Sequence, residues 1–269
     1  MRVPALVLGM SYRKITFAIE HGVALVRLNE PKSLNAMSVA MGEELIDAIA
    51  RAGRQARALC LAGEGRAFCS GANLVEGGIN IEDPARDAGV RLETTFNPLI
   101  LALRNSEVPV VTAIRGAAAG VGCAVALCGD VIIAGESGYF YQAFRHVGLV
   151  PDGGSSYLLA RAIGRVRAME MMLLGEKLPA AKALDWGLIT RVVPDDELDA
   201  AAMTIARQLA TGPRALRFIR QQAWAALDAP FEEQLARERG FQREAGRSSD
   251  FVEGVMAFRE KRSPHFKGE

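Results

Sequence analysis

The stretch VPVVTAIRGAAAGVGCAVALCGD, residues 108–130, decides the reading of this chain. It opens as a strand, VPVVTAI, a short run of β-branched and apolar residues with Pro109 near its start. It closes as GCAVALCGD, a helix too apolar to lie on a surface. Between them RGAAAGVG holds three glycines and three alanines in eight residues. Small residues there let another group approach the backbone, and a helix N-terminus with unpaired N–H groups follows at once. A strand, a tight glycine turn and a buried helix start predict an anion site. A nucleotide phosphate fits badly. Gly116, Gly120 and Gly122 miss the G-x-G-x-x-G spacing, and Cys123-Ala124 stand where a phosphate loop has Lys and Ser. Plain helix–sheet packing through small residues is the competing explanation.

Outward from this stretch, Ile15–Glu20 and Val23–Leu28 alternate around His21-Gly22, a hairpin signal. Ser38 is placed to cap a helix running to about residue 52. ALCLA, residues 58–62, is an apolar run of strand length. Residues 75–96 are polar and weakly periodic, a loop leading into a helix that carries Phe96, Leu99, Ile100 and Leu103. Val131–Ala134 is a further strand, so strands alternate with helices and the fold class is α/β. After the turn PDGG, a capped helix is expected from Ser155 or Ser156. From Val166 onwards nearly everything has helical texture, with no linker, repeat or low-complexity tract.

Composition narrows the function classes. With 269 residues, 50% hydrophobic and 23% charged, the profile is that of an ordinary soluble globular protein. A net charge of +1 offers no footprint for nucleic acid and no acidic tail. Cys60, Cys69, Cys123 and Cys128 lack C-x-x-C spacing and only three histidines are present, so no metal site is expected. Buried, reduced thiols in a cytoplasmic protein are the expectation. The apolar run in MRVPALVLGM is too short for a signal peptide or a membrane span, and residues 1–9 are expected to be an extension or tag.

Four segments carry a resemblance. RAFCSGANL (66–74), GAAAGVGCAVALCGD (116–130), GLVPDGG (148–154) and AFREKRSPHF (257–266) resemble, in order and spacing, the enoyl-CoA hydratase/isomerase (crotonase) superfamily. The likeness covers about residues 15–266. It implies a crotonase-like spiral of ββα turns over 10–200 and a helical C-terminal trimerisation region over 201–269. It further implies an acyl-CoA substrate, assembly as a homotrimer or dimer of trimers, and no cofactor besides the coenzyme A of the thioester. Neither nucleic acid nor a membrane is implied as partner.

The resemblance also assigns the anion: an enolate oxygen held by the backbone N–H groups of Ala72 and Val121. Val121 departs from the glycine usual there, so its side chain must turn away from the thioester or narrow the acyl pocket. Coenzyme A would be held by Lys32, Leu34 and Ala36 in the first loop and by Arg66, Ala67, Asn73 and Leu74 beside the oxyanion donor. Phe258 and Lys261 in the last helix would reach a neighbouring subunit's ligand. Asn73 replaces a common aspartate. The two glutamates of hydratases fall on Ala124 and Phe144, neither of which accepts a proton. Asp152 remains, matching the proton-shuttling aspartate of isomerase branches, among which the ring-1,2-epoxyphenylacetyl-CoA isomerase type looks most similar.

One desolvated carboxylate suits isomerisation, where a single base removes a proton and returns it elsewhere. The bland alternative is that Asp152 serves only its turn, since Pro-Asp-Gly-Gly favours Asp. His146 is more often a packed residue than an acid, and Glu76, Glu82 and Asp83 are solvated charges by default. The rival activities are water addition to a 2-enoyl-CoA and acyl-CoA binding without catalysis.

Overall fold

His21 and Gly22 both take left-handed backbone angles, φ 52° and 78°, which turn the chain between β1 (Ile15–Glu20) and β2 (Val23–Leu28). The computed structural model describes residues 12–74 and 80–269; the extension expected at 1–9 and Glu76 lie outside the described residues. Ser38 Oγ accepts from the Met41 amide and starts α1 (Val39–Gln55), whose buried face is Met41, Leu45, Ala48, Ile49 and Ala52. β3 (Ala58–Gly63) is buried throughout, as its uninterrupted apolar run requires of a parallel strand covered on both faces. A π-helical turn at Leu92–Phe96 leads into α2 (Asn97–Arg104), and β4 (Val110–Ile114) follows beside β3.

The next segment corrects the expected glycine turn. Ala117–Ala119 form a strand, β5, before α3 (Val121–Leu127), all of whose residues are buried. Alanine carries little strand signal of its own, and its partner strand supplies the pairing. β6 (Val131–Gly135) and β7 (Tyr139–Tyr141) come next. α4 (Ser155–Leu174) starts where expected but without a serine cap: its cap residue is Gly154, and the Ser155 hydroxyl is buried without a partner. β8 (Lys177–Pro179), α5 (Ala180–Asp185) and β9 (Arg191–Val193) follow. These two strands, three residues each, are too short for an alternation to register in the sequence. α6 (Leu198–Ala210), α7 (Ala215–Ala226), α8 (Phe231–Gly246) and α9 (Ser249–Glu260) complete the chain.

The strands form a long sheet in the order β1-β2-β3-β4-β6-β9 and a short one in the order β5-β7-β8. Isolated bridges pair Met37 with Ala72 and Cys69 with Ala118. Each turn of the coil thus gives one strand to the long sheet and one short segment to a second layer: β2 then Met37, β3 then Cys69 and Ala72, β4 then β5, β6 then β7. This is the spiral expected from the resemblance. The main core fills the space between the layers, and α6 covers the outer face of the long sheet through Leu198, Ala202, Ile205 and Ala206.

The buried side chain of Arg220 ties α7 to the core. It bonds Asp130 Oδ2 at 2.7 Å and reaches the carbonyls of Leu103 and Arg104 at the C-terminus of α2, at 2.6 and 2.7 Å. A cation suits that end of a helix. Asp130 also accepts from the Val110 amide at 2.8 Å and from Trp224 Nε1 at 3.0 Å. All four cysteines are free and buried, and burial pushes the thiols of Cys60 and Cys69 up to about 11 and those of Cys123 and Cys128 to about 12. They remain protonated and unreactive at neutral pH. Among the described residues no helix is long and apolar enough to cross a membrane.

Candidate active site

Asn35, in a loop read from sequence only as polar and turn-rich, is the clasp of the site. Leu34 and Asn35 are consecutive left-handed residues, each at φ 55°, a conformation asparagine tolerates through local hydrogen bonds. The fully buried Asn35 side chain accepts from the Glu30 amide at 2.8 Å and donates to the carbonyls of Glu64 and Ala67 at 2.9 and 2.8 Å. Ser70 adds its amide to the Leu34 carbonyl (3.0 Å) and its hydroxyl to the Ser33 carbonyl (3.1 Å). These bonds draw the 33–35 loop, which carries Leu34 between Lys32 and Ala36, against residues 64–70, which include Arg66 and Ala67. Asn35→Ala would strand one buried donor and two acceptors, and is expected to cost about 2–3 kcal/mol in urea unfolding. Wild-type stability in that variant would show the clasp to be idle.

The two candidate oxyanion donors leave adjoining turns. The Gly71 carbonyl accepts from the Met37 amide at 2.8 Å, so across the trans peptide the Ala72 N–H faces the opposite way. The Gly120 carbonyl accepts from the amides of Cys123 and Ala124 at 3.0 and 3.2 Å, which turns the Val121 N–H outward from the start of α3. Neither amide has an acceptor among the described residues. Gly120, at φ 51° and ψ −126°, holds a conformation for glycine alone, and a methyl built there would lie 3.7 Å from Gly71 Cα. The two turns therefore touch. Asn73 keeps Ala72 in place, with its amide on the Met37 carbonyl (2.9 Å) and its own carbonyl taking Arg91 Nη1 (3.0 Å). Because α3 has only seven residues, the two N–H groups rather than a helix dipole carry the anion argument.

Asp152 lies in the turn before α4, and the next residue, Gly153, packs against α3. A methyl built at Gly153 would lie 2.9 Å from the Ala124 Cβ and 3.7 Å from both Val121 Cγ2 and Ile100 Cγ1. Only the pairing of alanine with glycine lets the PDGG turn seat against α3, and the first hydratase glutamate position is closed by that contact. Asp152 Oδ1 is buried with no partner among the described residues, and desolvation pushes the carboxyl up to about 6. Phe144, at the second glutamate position, is buried with its Cζ 3.7 Å from the methyl built at Gly120. The Val121 side chain is buried on the Gly153 side, its Cγ2 3.7 Å from the methyl built there. Just beyond Gly153 a cavity of about 330 Å³ is lined by Ile100, Leu101, Tyr157, Leu158 and Trp224. Neither this cavity nor a second one, of about 560 Å³, is lined by Ala72, Val121 or Asp152.

Other candidates fall elsewhere. His146 Nε2 lies 2.9 Å from the Gly175 carbonyl at the end of α4, a structural tie. Glu82 and Asp83 are exposed, with Asp83 Oδ1 closing a turn onto the Ala85 amide. Leu74 is 66% and Phe258 85% exposed, and Lys261 ends α9 in a left-handed conformation. Within one chain neither Phe258 nor Lys261 is brought to the other site residues.

The sequence pattern of the enoyl-CoA hydratase/isomerase family matches residues 18–269. A Rhodobacter capsulatus protein named "Probable enoyl-CoA hydratase" is 43% identical over 263 residues, covering 96% of this chain and 100% of the other. The 1,2-epoxyphenylacetyl-CoA isomerase of Escherichia coli is 42% identical over 254 residues, covering 93% and 97%. The crystal structure of an enoyl-CoA hydratase from Bacillus anthracis superposes with a TM-score of 0.88 at 29% identity, covering 96% and 100%. With the family pattern matching residues 18–269 and relatives 42–43% identical over nearly its full length, the chain belongs to the enoyl-CoA hydratase/isomerase family.

Proposed function

We propose that the protein isomerises an enoyl-CoA thioester by moving one proton through Asp152. The carboxylate takes a proton from the α carbon, and the electron pair passes to the thioester oxygen. The resulting enolate is held by the N–H groups of Ala72 and Val121, which are fixed before reaction. Asp152 then returns the proton at the γ carbon, or the enolate opens or closes a ring on the acyl group. Nothing is consumed, so the chemistry calls for no metal, nicotinamide or flavin. Coenzyme A binds along Lys32, Leu34, Ala36, Arg66, Ala67, Asn73 and Leu74. The exposed apolar side chains of α8 and α9, Phe231, Phe251 and Phe258 among them, form the interface of a homotrimer or dimer of trimers, where Phe258 and Lys261 meet a neighbour's ligand.

The observation that carries this reading is a half-buried Asp152 whose Oδ1 has no partner among the described residues, with Ala124 and Phe144 at the positions of the other two carboxylates. The name of the Rhodobacter relative favours a second reading, water addition. Incubation with a 3-enoyl-CoA and, separately, with crotonyl-CoA separates them. Isomerisation predicts gain of conjugated thioester absorbance from the first and no 3-hydroxyacyl-CoA from the second; 3-hydroxyacyl-CoA as the main product would replace the proposal with hydration.

The base must be ionised, and Asp152 holds its proton up to about pH 6. Below that point kcat/KM is expected to fall about tenfold per pH unit, and above it to level off. An acid limb centred near pH 4, the ordinary carboxylate range, would contradict the desolvated setting of Asp152.

A further inference from the structure

The two cavities near α7 share only two lining residues, Leu158 and Trp224. The smaller one starts at Gly153, one residue from Asp152, and passes Ile100, which with Val121 lies within contact range of Gly153. The chamber borders the Gly153 turn without being lined by Ala72, Val121 or Asp152, so it is the space next to Asp152 that an acyl tail passing Ile100 would enter. The larger cavity adjoins it at the shared pair. Trp224 is firmly set: Nε1 donates to Asp130 Oδ1 at 3.0 Å, and the guanidinium groups of Arg104 and Arg220 stand 5.7 and 5.9 Å from its ring centroid. Asp130 is itself fixed by Arg220 and the Val110 amide. Arg104 pairs with Asp228, which also takes the Tyr157 hydroxyl, so the neighbouring aromatic wall is equally held.

We propose that Trp224 and Leu158 are the end wall of the acyl chamber and the length ruler of the enzyme. At about 330 Å³ the chamber is at the small end for ligand pockets, and its size and its Ile100, Leu101, Tyr157, Leu158 and Trp224 lining suit a short chain or a single ring. A longer chain must pass the wall into the adjoining cavity of about 560 Å³. The proposal rests on Asp152 marking the reacting carbon.

The test measures dissociation constants of saturated acyl-CoAs of increasing length, then turnover of the matching 3-enoyl-CoAs. In the wild type, affinity is expected to rise about fourfold per methylene until the wall is met and then to stop rising. Trp224→Ala and Leu158→Ala should move that break to longer chains and raise long-chain affinity at least tenfold relative to short. Trp224→Phe, which keeps a ring, should leave the break in place. Leu158→Ala carries the test alone if loss of the Asp130 contact unfolds Trp224→Ala. A wild-type series without a break, or a break unmoved in the soluble alanine variants, overturns the wall. A break that moves as expected while no 3-enoyl-CoA turns over supports the wall and overturns the isomerase reading instead.

Discussion

Asp152→Asn is expected to lower kcat by about a thousandfold, keep acyl-CoA affinity within about threefold, and make the folded protein more stable at neutral pH. In the proposed mechanism the first effect follows from removing the group that carries the proton, since positioned acid–base groups contribute about 10²–10⁴. The last follows from linkage. The folded-state pKa lies near 6, above the ordinary value of 3.8, so the folded state resists ionisation of this group. Its cost to stability is absent below pH 3.8, grows between there and pH 6, and is complete above. A shift of this size corresponds to about 3 kcal/mol, reduced to about 1–2 kcal/mol because the side chain keeps some contact with solvent. A neutral asparagine removes that cost, so Tm of the variant should exceed wild type at pH 8 and match it near pH 4. Loss of activity with gain of stability is the mark of a strained functional group. A variant with unchanged kcat would remove Asp152 from the mechanism.

Val121→Pro tests the other half of the site and is expected to lower kcat about 10²–10³-fold. Val121 is the first residue of α3, the helical position where proline's fixed φ is best tolerated and where its missing N–H breaks no helix bond. Gly120 before it is free of the clash that proline imposes on a preceding side chain. The substitution therefore deletes one proposed oxyanion donor with little disturbance of the fold. Val121→Ala, which keeps the amide and trims the side chain, serves as control and should retain most of the activity. Steady-state kinetics on both variants checks this. Equal kcat in the proline and alanine variants would mean that the Val121 amide holds no oxyanion.

Much of this was legible in residues that act locally. His21-Gly22 sets the hairpin, Ser38 caps α1, and the both-face burial of β3 shows as an unbroken apolar run. The glycine turns showed because only close backbone approach calls for so many small residues together. What stayed hidden depends on distant partners. Ala117–Ala119 are a strand because β7 pairs with them, and β8 exists because β7 needs an edge partner. Asn35 reads as one turn residue among many until residues 64 and 67 arrive around it. Ala124 and Gly153, separated by 29 positions in the chain, reveal their mutual fit only in contact. That Trp224 of α7 and Leu158 of α4 line the same two cavities is likewise encoded by no local pattern.

The most direct test of the central claim is a crystal structure with a slowly reacting acyl-CoA bound. Both the Ala72 and the Val121 nitrogen should lie about 2.7–3.1 Å from one thioester oxygen, with an Asp152 carboxylate oxygen about 3–3.5 Å from the α carbon. A thioester oxygen turned to any other donor, or an α carbon out of reach of Asp152, would contradict the account.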